Sequence, residues 1–313
     1  MKVAGPAAGQ ASPLDQFLAG QLRESTRRAY QTDLRIFFRF LGLERPQPAD
    51  VAAIRFQDVI AFRNHLANQG YERTSINRKL SSLKAFFRMM VAAGIVESNP
   101  ADSSLVRGYR VDTSVSSKAI ASAALQRILA VIEQEEDPLV RSRDRALFYL
   151  LTYGGLRRSE AANVAWEDVR QEGAFFVLTL PVTKSGVPQD VKLQPVVVHF
   201  LTEYRQELQR HGHAGAGPDR AFISLSRNAS HGRPLTAQSV NLIVKRHALR
   251  AAVPSNITAH MFRHTCCTLA IEGGAKPQQV QSHLRHKDLK TTMRYYEERE
   301  KLVDNASDYI RLG

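Results

Sequence analysis

Tyr30, Leu34, Phe37 and Leu41 recur at i, i+4, i+7 and i+11, a spacing that only a helix gathers onto one face. Ser25 reads as the N-cap of this helix and Gly42 as its stop. A second helix is expected over 56–68, stopped near Gly70. A third carries Ile76, Leu80, Leu83, Phe87 and Met90 as a narrow apolar stripe. From about Ser12 to Ile95 the pattern is helical throughout, which confines this part of the chain to an all-helical unit.

The third helix has a second face. At 100° per residue Arg73, Asn77, Ser81, Lys84 and Arg88 fall together. No acidic residue occurs between Arg73 and Val96. A solvated helix face usually mixes both signs. A single-sign face is what a helix laid against nucleic-acid phosphates and base edges needs, although an ordinary exposed face is the plainer alternative. The whole chain, 313 residues with a formal net charge of +13, points the same way.

Apolar content is 43%, enough for two domains with real cores. The two cysteines, Cys266 and Cys267, are adjacent, so neither a disulfide framework nor a paired metal motif is expected. They read as helix-packing residues in a reducing cytoplasm. Residues 1–12 read as a flexible tail without the apolar core of a signal peptide. The longest apolar stretch, near Ala146–Leu156, is too short to span a bilayer.

Residues 98–118 are Ser-rich and aperiodic and read as an interdomain linker between a helical unit, 12–97, and a second unit, 119–313. In the second unit, helices are expected near Ser122–Glu135 and Arg143–Tyr153. Short β-prone runs in 174–194 flank Thr183-Lys184-Ser185-Gly186, the pattern of a hairpin. Thr258 reads as the cap of a helix that stops at Gly273-Gly274, and Pro277 suits the first turn of the next.

Three segments carry chemistry. In GGLRRSE, 154–160, Gly154 and Gly155 permit a tight turn, and Arg157 emerges with Glu160 one turn later to hold it. In HMFRH, 260–264, His260 and Arg263 share a helix face. That spacing is weak on its own. The ten histidines make about one such pair expected by chance, and His247 with Arg250 is a second. In HLRHKDLKTTMRYYE, 283–297, His286 precedes Tyr295 by nine residues.

Taken in order, GLRRSE, TKSG in a hairpin, HMFRHT and LRHKDLKTTMRYY resemble the tyrosine recombinase (phage integrase) family. STRRAYQTDLRIFFRFL (25–41) and SINRKLSSLKAFFRMM (75–90) resemble its N-terminal core-binding domain, so the resemblance covers essentially the whole chain. It implies a mainly α fold with a small β-sheet. A SAM-like helical core-binding domain and a mixed α/β catalytic domain would close on duplex DNA as a C-shaped clamp. Tyr295 would attack a DNA phosphate, form a 3′-phosphotyrosyl bond and free a 5′-hydroxyl. Covalent catalysis of this kind conserves the phosphodiester energy, so no cofactor, ATP or metal is implied. Arg157 and Arg263 would clamp the nonbridging oxygens, and Lys184 would protonate the leaving 5′ oxygen. His260 would assist proton transfer from Tyr295, and His286 would donate to the phosphate. Tyr296 lies about 100° around the helix and reads as packing.

The resemblance also implies partners. These are duplex DNA with specific recombination sites and a homo-oligomer, a dimer per site and a tetramer in synapsis through a Holliday junction. A paralogous recombinase is an alternative partner. A C-terminal helix with Leu302, Ala306, Tyr309 and Ile310 at helical spacing would dock on a neighbouring subunit. The helical unit starting near the N-terminus resembles the simpler Xer-like layout. There are departures: Arg285 stands where the family usually has glycine, and Gln189 and Asp190 where a basic residue is common. The rival readings are a type IB topoisomerase, a non-catalytic DNA-binding protein on the same scaffold, and a helix-turn-helix regulator. The last leaves Lys184 and Tyr295 unexplained.

Overall fold

The computed structural model describes residues 12–111, 119–181, 187–213, 220–228, 230–253, 256–303 and Ile310. The chain forms two compact units, Met1–Thr113 and Ser114–Gly313. The expected tail over 1–12 lies outside the described residues except for Ser12, which caps helix α1 (Pro13–Ala19) by accepting from Asp15 N.

The first unit continues with α2 (Glu24–Phe40), α3 (Pro48–Ala53), α4 (Phe56–Asn68) and α5 (Arg73–Ala92). The α2 stripe is buried as its spacing requires, with Leu34 and Phe37 fully inside. Phenylalanines from three helices close the core edge to face: Phe37 on Phe62 at 5.1 Å and Phe38 on Phe86 at 5.5 Å between ring centroids. Ser25 is not the cap of α2. The cap is Arg23, two residues earlier, because Glu24 suits the N-terminal dipole and accepts from Arg28 Nε at 2.8 Å. Gly42 does stop it, in the left-handed region at φ 74°.

Asp33 of α2 is buried against α5. It accepts from Ser82 Oγ at 2.8 Å and pairs with Arg78 and Lys79. Part of the charge excess on α5 is therefore balanced from another helix, which the helix's own sequence does not show. Residues 99–109, read above as linker, pack back on α5. Asn99 Nδ2 donates to Lys84 O at 3.0 Å, and Ala101 and Val106 enter the same core. The segment is aperiodic because it is held by side chains, not by a backbone ladder.

The second unit is built on α7 (Pro138–Gly154), which is buried along nearly its whole length. Around it lie α6 (Ser122–Glu133), α8 (Arg158–Ala162), α9 (Pro195–Arg210), α10 (Ala237–Arg250) and α11 (Ala259–Glu272). Helices α12 (Pro277–Leu284) and α13 (Leu289–Val303) complete it. A three-stranded antiparallel sheet runs β1 (Val169–Glu172), β2 (Phe175–Leu180), β3 (Gln189–Leu193) in that order. The β2–β3 register pairs Leu178 with Val191 and Leu180 with Gln189. Leu178, Leu180, Val191 and Leu193 are all buried, so the sheet's inner face fixes the register of β2 on β3. Lys184, between β2 and β3 in sequence, lies outside the described residues.

The second HxxR pair is resolved here. His247 is fully buried, and its Nε2 lies 2.7 Å from Asp144 Oδ2. Arg143 Nε donates to the other oxygen at 2.7 Å, and Arg246 also reaches the carboxylate. Burial alone would raise the Asp144 pKa, but Arg143, His247 and Arg246 hold it below the usual carboxylate range. Arg250 instead meets Glu135 at the surface. Asp144→Ala, which strands buried Arg143, is expected to destabilise the protein by about 3 kcal/mol. Arg250→Ala should cost at most about 1 kcal/mol. Urea denaturation of the two variants beside the parent checks both.

Candidate active site

Arg263 anchors the site. It projects from α11, is 4% exposed, and donates through Nη1 to Gly155 O at 2.7 Å and through Nη2 to Leu284 O. Both acceptors lie at the ends of helices, α7 and α12, where carbonyls lack helical partners and the helix dipole favours a cation. The approach requires Gly155. It sits at φ 55°, and a Cβ there would lie 2.3 Å from Leu284 Cδ2. Burial, then neighbouring Arg157 and Arg285, lower the Arg263 pKa to about 10, so the guanidinium stays charged at neutral pH.

Arg157 caps the start of α8. Its N–H donates to Glu160 Oε2 at 2.8 Å, and its Nη1 to Glu160 Oε1 at 2.5 Å. The Arg157 side chain remains 31% exposed, while Glu160 is buried. Arg285 is the C-cap of α12, left-handed at φ 56°, a conformation that costs a non-glycine residue about 1 kcal/mol. Its side chain turns inward, and Nη2 donates to Glu160 Oε2 at 2.8 Å. Burial opposes ionisation of Glu160, but Arg285 and Arg157 outweigh it and hold its pKa below the ordinary value.

His286 follows directly. Its Nδ1 lies 2.9 Å from Thr292 Oγ1, and Thr292 is fully buried in α13. Burial and then the charges of Arg263, Arg157, His264 and Arg285 push the His286 pKa down to about 4. The imidazole is neutral at pH 7. If Thr292 donates to Nδ1, the ring proton lies on Nε2, which then serves as a donor.

Tyr295 is 6% exposed and packs with Cys266, Cys267, Ile271, Val280 and Leu284. Its hydroxyl shares a hydrogen bond with His264 Nδ1, and the two rings stack at 5.9 Å. His260 meets His264 edge to face at 4.8 Å. The Tyr296 hydroxyl donates to Ala275 O, the packing role expected of it. Arg263 and His260 from α11, Tyr295 from α13, Arg157 from the N-cap of α8 and His286 from the turn after α12 thus come into one neighbourhood with Glu160. His264 and Thr292 were missed from sequence, although His264 lies one turn from His260 and Thr292 three residues before Tyr295.

Among the α5 residues, Arg73, Ser81 and Arg88 are exposed. Asn77 is not open as expected. Its Nδ2 donates to Tyr109 O and its Oδ1 accepts from Tyr109 N, both at 2.8 Å. One carboxamide matches the N–H and C=O of a single residue, so Asn77 holds the 99–109 segment. Lys84 Nζ donates to Ser103 Oγ at 2.7 Å. Among the described residues no group of histidines, cysteines and carboxylates is placed to hold a metal, and no helix is long and apolar enough to cross a membrane.

Residues 118–301 match the phage integrase family, and residues 15–94 match the N-terminal SAM-like domain of phage integrases. The chain belongs to the phage integrase family. Tyrosine recombinase XerC of Pelobacter propionicus is 30% identical over 276 residues, covering 88% of this chain and 85% of that protein. Tyrosine recombinase XerD of Shewanella oneidensis is 29% identical over 278 residues, covering 88% and 86%. The XerH site-specific recombinase bound to palindromic difH substrate shares the fold. Its TM-score is 0.72 at 19% identity, over 91% of this chain and 79% of that one. A lambda integrase dimer bound to a core site matches at TM-score 0.67 and 17% identity, over 96% and 97%. The protein is accordingly a tyrosine recombinase, an enzyme of site-specific DNA recombination, with the mainly helical two-part fold of that family.

An NMR pH titration of this recombinase should place the His286 midpoint near 4, against the ordinary 6.5. Unfolding then takes up a proton at that site between these values. The contribution of His286 to stability is full above 6.5 and is lost as the pH falls toward 4. Inorganic phosphate, by offsetting the arginine charges, should move the midpoint upward.

Proposed function

We propose that the recombinase cuts and rejoins DNA at Tyr295, with Arg157 and Arg263 gripping the scissile phosphate. One observation carries this reading: the Tyr295 hydroxyl is already bonded to an imidazole in the same packed unit as two arginines and a neutral histidine. The hydroxyl oxygen attacks phosphorus, and its proton passes to His264, with His260 behind it. The 3′-phosphotyrosyl bond forms as the bond to the 5′ oxygen breaks. Lys184, which lies between β2 and β3 in sequence, supplies the proton that the leaving oxygen takes up. Arg157 and Arg263 stabilise the charge on the nonbridging oxygens, as a metal would elsewhere, and the His286 imidazole donates to the same phosphate. Attack by the freed 5′-hydroxyl of a partner strand reverses the steps and rejoins the backbone.

The partner is duplex DNA carrying a specific site, bound by two protomers, with four protomers in synapsis. The XerH and lambda integrase structures are complexes with DNA, which supports this choice. The named relatives are recombinases, which supports strand exchange over topoisomerase-like relaxation or DNA binding alone. Residues 12–97 form the core-binding domain, 98–118 the connection and 119–313 the catalytic domain. Exposed Arg73, Ser81 and Arg88 of α5 contact the DNA, while Asn77 and Lys84 set the 99–109 segment beside them. The enzyme works in the cytoplasm.

Isolation of the protein from its host under denaturing conditions, followed by sequencing of attached DNA, tests the reading. One or two recurring sites are expected with the parent and none with Tyr295→Phe. Scattered attachment, or attachment that survives Tyr295→Phe, would overturn it. On the recovered site Arg157→Ala is expected to slow cleavage by about 10²- to 10³-fold, the range for loss of one preorganised donor to transition-state charge.

A further inference from the structure

Arg285 has no part in the reaction as drawn above, yet it is built into the site at some disadvantage. Its backbone adopts a conformation that glycine would take freely. Its side chain is 3% exposed, and its buried Nε has no hydrogen-bond partner among the described residues. Such a side chain is not extended outward to grip DNA. It donates instead to His283 O at 3.0 Å and to Glu160 Oε2 at 2.8 Å.

The two oxygens of Glu160 are divided. Oε1 takes Arg157 Nη1, and Oε2 takes both Arg285 Nη2 and the Arg157 N–H. A phosphate arriving at Arg157 would draw its guanidinium from Oε1. A buried carboxylate left with no cation would resist that exchange, since an uncompensated buried charge is strongly unfavourable. With Arg285 in place the carboxylate keeps a cation and two hydrogen bonds on Oε2 throughout. With glycine at 285, Glu160 and the phosphate would compete for a single guanidinium.

We infer that Arg285 is a positioning residue for strand cleavage: by holding Glu160 it frees Arg157 to move from that carboxylate to the scissile phosphate. The inference rests on the reading of Arg157 as a phosphate-binding residue. Arg285 acts through Glu160, so its effect must depend on the Glu160 charge. A plain electrostatic attraction of the third arginine for the anion would not.

The test uses the full chain and inorganic phosphate, with Kd read from NMR titration of the histidine resonances. Arg285→Gly suits the left-handed backbone, so its fold is expected to persist, as circular dichroism will show. It should weaken phosphate binding by about tenfold, a coupling of the size found between contacting charged side chains. Arg285→Lys, which keeps a cation beside Glu160, should recover most of the loss. In a Glu160→Gln background, where no charge needs balancing, Arg285→Gly should change Kd little. Equal weakening in both backgrounds, or none in either, overturns the inference alone. Failure of the parent to bind phosphate overturns the anion-site reading together with it.

Discussion

The catalytic unit depends on one buried guanidinium. Arg263 joins the end of α7 to the end of α12, segments 108 and 21 residues away from it in sequence. Removing a cation from water is unfavourable unless dipoles replace the solvent, and two helix-end carbonyls do so here. The same geometry favours glycine at 155, because its backbone is left-handed and a Cβ there would press on the Leu284 and Cys266 side chains. A residue that serves the phosphate in the proposed reaction is therefore also the tie that brings the Arg157 turn and the His286 turn together. Architecture and chemistry are not separable at this position.

Much of this was legible in the chain. Helical spacing located α2, α4 and α5, β-prone runs located the β2–β3 hairpin, and the Thr258 and Gly273-Gly274 boundaries of α11 hold. What stayed hidden shares a physical cause: it depends on partners distant in sequence. His247 and His260 have identical spacing to an arginine, and only Asp144, 103 residues from His247, makes one of them a core group. Asp33 balances Arg78 and Lys79 from another helix, so the charge of α5 overstated what faces outward. The 99–109 segment has no periodicity to read because Asn77, Lys84 and Asn99 hold it. His264 and Thr292 are ordinary helix residues until α11 and α13 meet.

In this resting arrangement every described group assigned to the chemistry already has a protein partner. Arg157 has Glu160, Arg263 has two carbonyls, His286 has Thr292, and Tyr295 has His264. Preorganisation of this kind lowers the cost of ordering the site around a phosphate. It also means that a phosphate must exchange partners rather than fill empty ones. The exchange differs from group to group. Arg263 is held by neutral carbonyls, whereas Arg157 is held by a charged carboxylate in a buried place, which is the stronger competitor for a guanidinium.

The electrostatics set the order in which those exchanges are favourable. Without an anion, burial and then the charges of Arg263, Arg157, His264 and Arg285 keep His286 neutral, so the site does not add a further cation to itself. An entering phosphate offsets that positive field. Each arginine contact it makes lowers the penalty for holding charge nearby, and the His286 imidazole becomes easier to protonate as the oxyanion forms. Tyr295 sits beside this field, packed with Cys266 and Cys267 and with its hydroxyl hydrogen-bonded to His264. In the proposed reaction its proton passes to His264 as the oxygen bonds to phosphorus, and the negative charge moves onto the phosphate among the arginines. On that proposal, loss of the proton and attack on phosphorus are one coupled event, with His264 already in hydrogen-bond contact to receive the proton.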